Sequence, residues 1–134
     1  MRTRLIRCLQ ISMALLFLVA LGYQGPAIAA SGTVTSGLFN VTDATCGGQL
    51  SFELSPNVQL GYNILDDSFA INSFNDKTDT TNGMEYGIGS DKPGYYQRQK
   101  TVDAGTAITA PTGSNSSAFS TNGTNAWTYQ GSTK

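Results

Sequence analysis

Short alternations of apolar and polar residues, each closed by turn formers, constrain this chain more than any other feature. Leu50, Phe52 and Leu54 alternate with Ser51 and Glu53, and Val58, Leu60, Tyr62 and Ile64 repeat the pattern after Ser55-Pro56-Asn57. Successive side chains of a strand point to opposite faces, so this period gives each segment one apolar face. With the turn between them, the two segments predict a hairpin. The rhythm continues through Phe69 and Ile71, then Met84, Tyr86 and Ile88, then Tyr95 to Val102, and ends at Trp127 and Tyr129. Asp66-Asp67, Asn75-Asp76, Asn82-Gly83, Asp91-Lys92-Pro93-Gly94, Asp103-Ala104-Gly105, Pro111-Thr112-Gly113 and Asn122-Gly123 punctuate it. These residues favour turns because they accept positive φ, preset φ, or bond to their own backbone. Outside the N-terminal 29 residues no amphipathic helical period is sustained. About seven or eight short strands at roughly 8–12-residue spacing predict an all-β fold, a small antiparallel β-sandwich or barrel.

Two stretches fit the rhythm less well. From Ser31 to Thr42 the apolar residues are sparse, which predicts an edge strand or a loose arm. From Thr109 to Thr124 nearly every residue is small and polar, with Phe119 the one bulky side chain, which predicts a long surface loop.

The N-terminus carries an address. Arg2, Arg4 and Arg7 precede an apolar run from Leu9 to Leu21, and Ala27-Ile28-Ala29 supplies the small residues of a cleavage site. Residues 1–29 therefore read as a signal peptide and residues 30–134 as a single β-rich domain, exported to the periplasm, the cell surface or the medium. Gln10 and Ser12 at one end and Tyr23 to Pro26 at the other shorten the apolar run, so no membrane span is expected after cleavage. The leader takes three of the basic residues with it and moves the net charge from −1 to −4. A chain of that sign offers no stripe to displace counterions from phosphates, which excludes a nucleic-acid partner. Cys8 leaves with the leader, so Cys46 is the only thiol of the processed chain and can make no internal disulfide. It is buried, free, or paired between two chains as an intermolecular disulfide.

The chain contains no histidine. The usual neutral-pH base, the partner of a Ser or Cys nucleophile and the commonest zinc ligand are all missing, and no catalytic residue, cofactor or metal is expected. Glu53 and Glu85 are placed opposite the apolar residues of their strands, on a solvated face unsuited to a catalytic pair. Asp66, Asp67, Asp76, Asp79 and Asn82 could gather around calcium, but their spacing lacks an EF-hand pattern and reads more simply as solvated turns. Aromatic residues make the better binding candidates. Tyr95 and Tyr96 precede Arg98 and Lys100, and Trp127 and Tyr129 stand near the end, so rings could stack on a glycan or another planar ligand. Tyr95 and Tyr96 face opposite ways, which leaves one of them for a partner. Trp127 reads first as the core anchor of the last strand.

The stretch Ser55 to Tyr62, with Met84-Glu85-Tyr86-Gly87 and Ala126-Trp127, resembles short exported bacterial proteins of unknown function, a likeness that implies no activity. Gly32-Thr33-Val34, Gly37, Asp43-Ala44-Thr45-Cys46 and the late Tyr129 resemble chaperone-assembled pilus subunits, whose second cysteine is absent here. The expected role is that of an exported, non-enzymatic structural or surface-associated protein that assembles with itself through strand edges. The alternative is a small extracytoplasmic ligand- or glycan-binding module.

Overall fold

A computed structural model describes residues 29–42 and 49–131. Residues 1–28 of the leader and Cys46, whose thiol the sequence leaves open between burial, a free state and an intermolecular disulfide, lie outside the described residues. Eight strands form two antiparallel sheets: β1 (Ala30–Val34), β2 (Leu38–Thr42), β3 (Gln49–Glu53), β4 (Val58–Leu65), β5 (Ser68–Asn75), β6 (Met84–Gly89), β7 (Tyr95–Gln99) and β8 (Thr128–Gln130). Six of them make one sheet in the order β1-β4-β5-β6-β7-β8, and β2 and β3 pair only with each other. No barrel is closed among the described residues.

The expected hairpin between the Leu50 and Val58 segments does not form. β3 pairs with β2, and β4 runs between β1 and β5. Ser55-Pro56-Asn57 is a corner that carries the chain from one sheet to the other, closed by Val58 N donating to Ser55 O at 3.0 Å, with Asn57 at φ 64°. Asparagine tolerates that left-handed backbone better than most side chains, and the same chemistry serves a hairpin turn or a corner. Leu54 lies beyond β3 and is buried beside Phe39 and Leu60.

Each face of the large sheet has its own cover. On one face β2–β3 lies over the β1 and β4 side, where Phe39 is fully buried against Leu54 and Leu60 and meets the Tyr62 ring edge-on, centroids 5.2 Å apart. The expected arm at Ser31–Thr42 is thus two ordered strands, β1 being a sheet edge. The other face is covered by the irregular chain from residue 101 to 127. Ile108, Ser114, Ser116, Phe119 and Trp127 are buried there. The expected surface loop is therefore a packed layer, with one 3-10 turn at Ser116–Ala118 whose N-cap Asn115 accepts from Ser117 N.

Glycines make that layer possible. Gly61, Gly87 and Gly89 stand on the covered face of β4 and β6. A Cβ on Gly61 would lie 2.9 Å from Thr109 O, one on Gly87 2.6 Å from the Phe119 ring, and one on Gly89 2.5 Å from Ser116 N. A strand glycine often marks close approach of another backbone, and here three of them let irregular chain rest directly on the sheet.

Candidate functional site

The covered face holds a polar cluster beneath the loop layer. Gln59, Phe74, Glu85 and Arg98 occupy one row across β4, β5, β6 and β7. Glu85 is only 3 % exposed, which corrects its expected place on a solvated face. Its Oε2 accepts from Arg98 Nε at 2.7 Å and its Oε1 from Asn72 Nδ2 at 2.9 Å. Burying a carboxylate is costly unless it is paired and hydrogen-bonded, and these two donors meet that condition. Asn72 Nδ2 also donates to Thr109 O at 3.1 Å and Gln59 Oε1 accepts from Ile108 N at 2.7 Å, so the row fastens the loop layer to the sheet. Asn72 Oδ1 has no hydrogen-bond partner among the described residues; it abuts the backbone at Gly61, where a Cβ would displace it.

A cleft of about 190 Å³ opens beside this row, lined among others by Asn72, Glu85, Arg98, Thr112 and Trp127. The Arg98 guanidinium lies over the Trp127 ring, 4.3 Å from its centroid. The indole, 6 % exposed, packs edge-on against Phe119. Small-molecule pockets occupy roughly 300–1,000 Å³, so this cleft is small for a sugar.

The other aromatic candidates separate. Tyr96 is buried, stacked on Phe119 at 5.2 Å and tilted against Tyr129 at 5.1 Å. Tyr129 is half-buried and donates its hydroxyl to Pro93 O. Tyr95 is exposed and meets Tyr86 at 6.1 Å on the opposite face. Tyr95 and Trp127 therefore share no surface. Lys100, just after β7, is buried and donates to Asn75 O and Thr78 O at 3.2 and 2.7 Å, with Phe74 beneath it.

One aspartate acts within its own turn and another reaches the loop layer. Asp79 Oδ1 accepts from Asn82 N and then Thr81 N, bonds that hold its carboxyl below the ordinary range. Asp91 is lowered by the Ser116 hydroxyl and then by the Ser116 backbone N–H, each at 2.6 Å. No group of three or more His, Cys, Asp or Glu side chains is placed to hold a metal among the described residues.

The sheet boundaries expose backbone. β1 pairs only with β4 and β8 only with β7, so each leaves one edge open among the described residues. β1 reads Ala-Ser-Gly-Thr-Val and carries none of the lysines or prolines that usually blunt an edge. β8 has three residues and offers less.

The face opposite the loop layer is half bare. Beyond the reach of β2–β3, the apolar side chains of β5 and β6 form the floor of a groove of about 600 Å³, whose wall is Leu50 and Phe52 of the hairpin. Ser73 is its one conventional polar residue apart from the Tyr86 hydroxyl, and no charged side chain lines it.

The chain matches no protein-family model, no curated protein and no solved structure. No helix among the described residues is long and apolar enough to cross a membrane.

One feature of these surfaces escaped sequence reasoning. Met84, Tyr86 and Ile88 mark the apolar side of β6, yet the deeper side is Glu85, Gly87 and Gly89. The signal was available in the glycines themselves, which fall at alternating positions of β6 and in register with Asn72 and Ala70.

Proposed function

We propose that the protein is an exported, non-enzymatic structural subunit, surface-associated in a bacterium, that assembles with copies of itself through strand edges. The observation that carries this reading is β1, an uncharged, proline-free edge strand whose outer side pairs with nothing among the described residues. Open edge N–H and C=O groups recruit a further strand unless something blocks them. The low charge of the chain supports it, since only 13 % of residues are charged and repulsion between copies is weak. In this reading the two sheets are an incomplete sandwich, completed along its edges by neighbouring subunits.

Replacing Ser31 and Thr33 together by lysine tests it, because both side chains are exposed and lysines on an edge oppose pairing. Electron microscopy and light scattering of the exported protein should show extended assemblies for the native chain and their loss in the variant. Native protein without extended assemblies at high concentration counts against the reading.

Glycan binding is the second reading; its one support is the Arg98–Trp127 pair beside a cleft smaller than ordinary sugar sites. A glycan array with the native chain and with Arg98→Ala separates the two, since edge pairing predicts no saturable signal.

A further inference from the structure

We propose that Asn122 is a site of self-catalysed covalent modification, losing its side-chain amide as ammonia through attack by the Gly123 backbone nitrogen, while the same tripeptide at Thr81-Asn82-Gly83 is held intact by the fold.

The sequence carries its own control, because Thr-Asn-Gly occurs twice, at 81–83 and at 121–123. Glycine after asparagine leaves the next backbone nitrogen unshielded by a Cβ, so both copies start with the same intrinsic tendency. In the reaction that nitrogen gives up its proton and attacks the asparagine Cγ. The bond from Cγ to the amide nitrogen breaks, ammonia leaves with the proton, and a succinimide ring closes. Water then adds to either ring carbonyl and breaks its bond to the ring nitrogen, which regains a proton, so the product is aspartate or isoaspartate. In a folded chain the rate depends on whether the glycine N–H is free, whether the side-chain amide can swing over it, and whether the peptide can turn.

At Asn82 all of these are opposed. The Gly83 N–H donates to Asp79 O and the Gly83 carbonyl accepts from Lys100 N, both at 2.9 Å. Asn82 Nδ2 donates to Asp79 Oδ1 at 3.2 Å, beside the 2.8 Å bond from its own backbone N–H. Gly83 is buried, and the space above its Cα is filled by Thr78 Oγ1, 2.5 Å from where a Cβ would stand. The Asp79 carboxylate also opposes the negative charge that the attacking nitrogen must take on.

At Asn122 the same groups are free. Residues 121–125 are all exposed, and no atom lies within 4 Å of a Cβ placed on Gly123, whose φ is 93°. Asn122 N donates to Ser120 Oγ at 3.3 Å, but neither its side chain nor the Gly123 N–H has a hydrogen bond among the described residues. The loop is fixed lower down, where Trp127 N donates to Ser120 O at 2.9 Å. Isoaspartate adds a carbon to the main chain at a tip against which nothing packs, so the fold accepts the product, and the chain gains a negative charge there as it ages.

Peptide mapping by mass spectrometry of protein purified after export and held in mildly alkaline buffer tests this. Asn122 should convert, with isoaspartate among the products, and Asn82 should lag by about tenfold or more, since it reacts only when its turn opens. In urea, where the turn is gone, the two rates should converge. Asn122→Gln, whose longer side chain closes a less favourable ring, should remove the acidic component that ion-exchange chromatography resolves from aged native protein. An Asn122 that stays intact in the folded chain, or an Asn82 that converts as fast, overturns the proposal. Rates that stay equally far apart in urea overturn it as well, because the difference then belongs to the flanking sequence and not to the fold. So does an acidic component that persists at the native rate in Asn122→Gln.

Discussion

Gly87 shows how one missing side chain shapes this molecule. The Phe119 ring lies where its Cβ would be, so Gly87→Ala must push the ring, and with it the loop layer, off the sheet. Overpacking of this kind costs about 1–3 kcal/mol, and urea unfolding of the variant should show a loss in that range with an unchanged m-value. A native-like midpoint would mean that the loop layer does not rest on β6. Glu85 makes the complementary point. Its alternation with Met84 and Tyr86 was correctly legible as strand, but hydropathy assigns a glutamate to the solvent side. The residue is buried because Arg98 and Asn72 meet both of its oxygens, and those partners come from β7 and β5, which no local pattern in β6 can reveal.

At the level of elements, strands were the readable part of the chain and their neighbours were not. Period-two patterning identifies Val58–Leu65 and Met84–Gly89, since alternation is a local property. The partner of Gln49–Glu53 depends on whether Ser55-Pro56-Asn57 turns the chain back or round a corner, which those three residues permit equally. The segment 101–127 has no period at all, so its role as a layer was hidden, although Phe119 stood out as its one large side chain. Phe119→Ala should therefore behave as a core truncation and cost about 3–5 kcal/mol by denaturant unfolding; a surface residue would lose less than 1 kcal/mol. Asp91 fastens the same layer through Ser116. Its carboxyl is held below the ordinary aspartate range, so the contribution is complete above about pH 5 and is lost as pH falls through the lowered value. Thermal unfolding should show Asp91→Asn less stable than the native chain at pH 7, with the gap narrowing as pH falls below about 4. A gap independent of pH would remove the carboxylate from the account.

For the whole molecule, the large sheet separates two cores of different character. One gathers Ala70, Tyr96, Phe119 and Trp127 beneath the loop layer, and the other gathers Phe39, Leu54 and Leu60 beneath the hairpin. The first is closed by chain from the same molecule across its breadth; the second stops half-way. If copies associate through the open strand edges, melting temperature should rise with protein concentration, by a few degrees for each tenfold increase, because association adds to the stability of the folded state by mass action. Concentration-independent melting would count against that association. Composition indicates why sequence could not settle this. A strand with apolar residues on alternate positions reads the same whether its cover is its own chain or another.

Because β1 and β4 are direct neighbours, with Val34 opposite Leu60, the β2–β3 pair that lies between them in sequence stands outside the main sheet. No strand of the six-stranded platform takes its backbone pairing from that pair, so changes of length or sequence within it leave the platform's ladder intact. A chain in which a short splice joins the ends of β1 and β4 should therefore keep the six-stranded platform, read as a retained β-type circular dichroism spectrum.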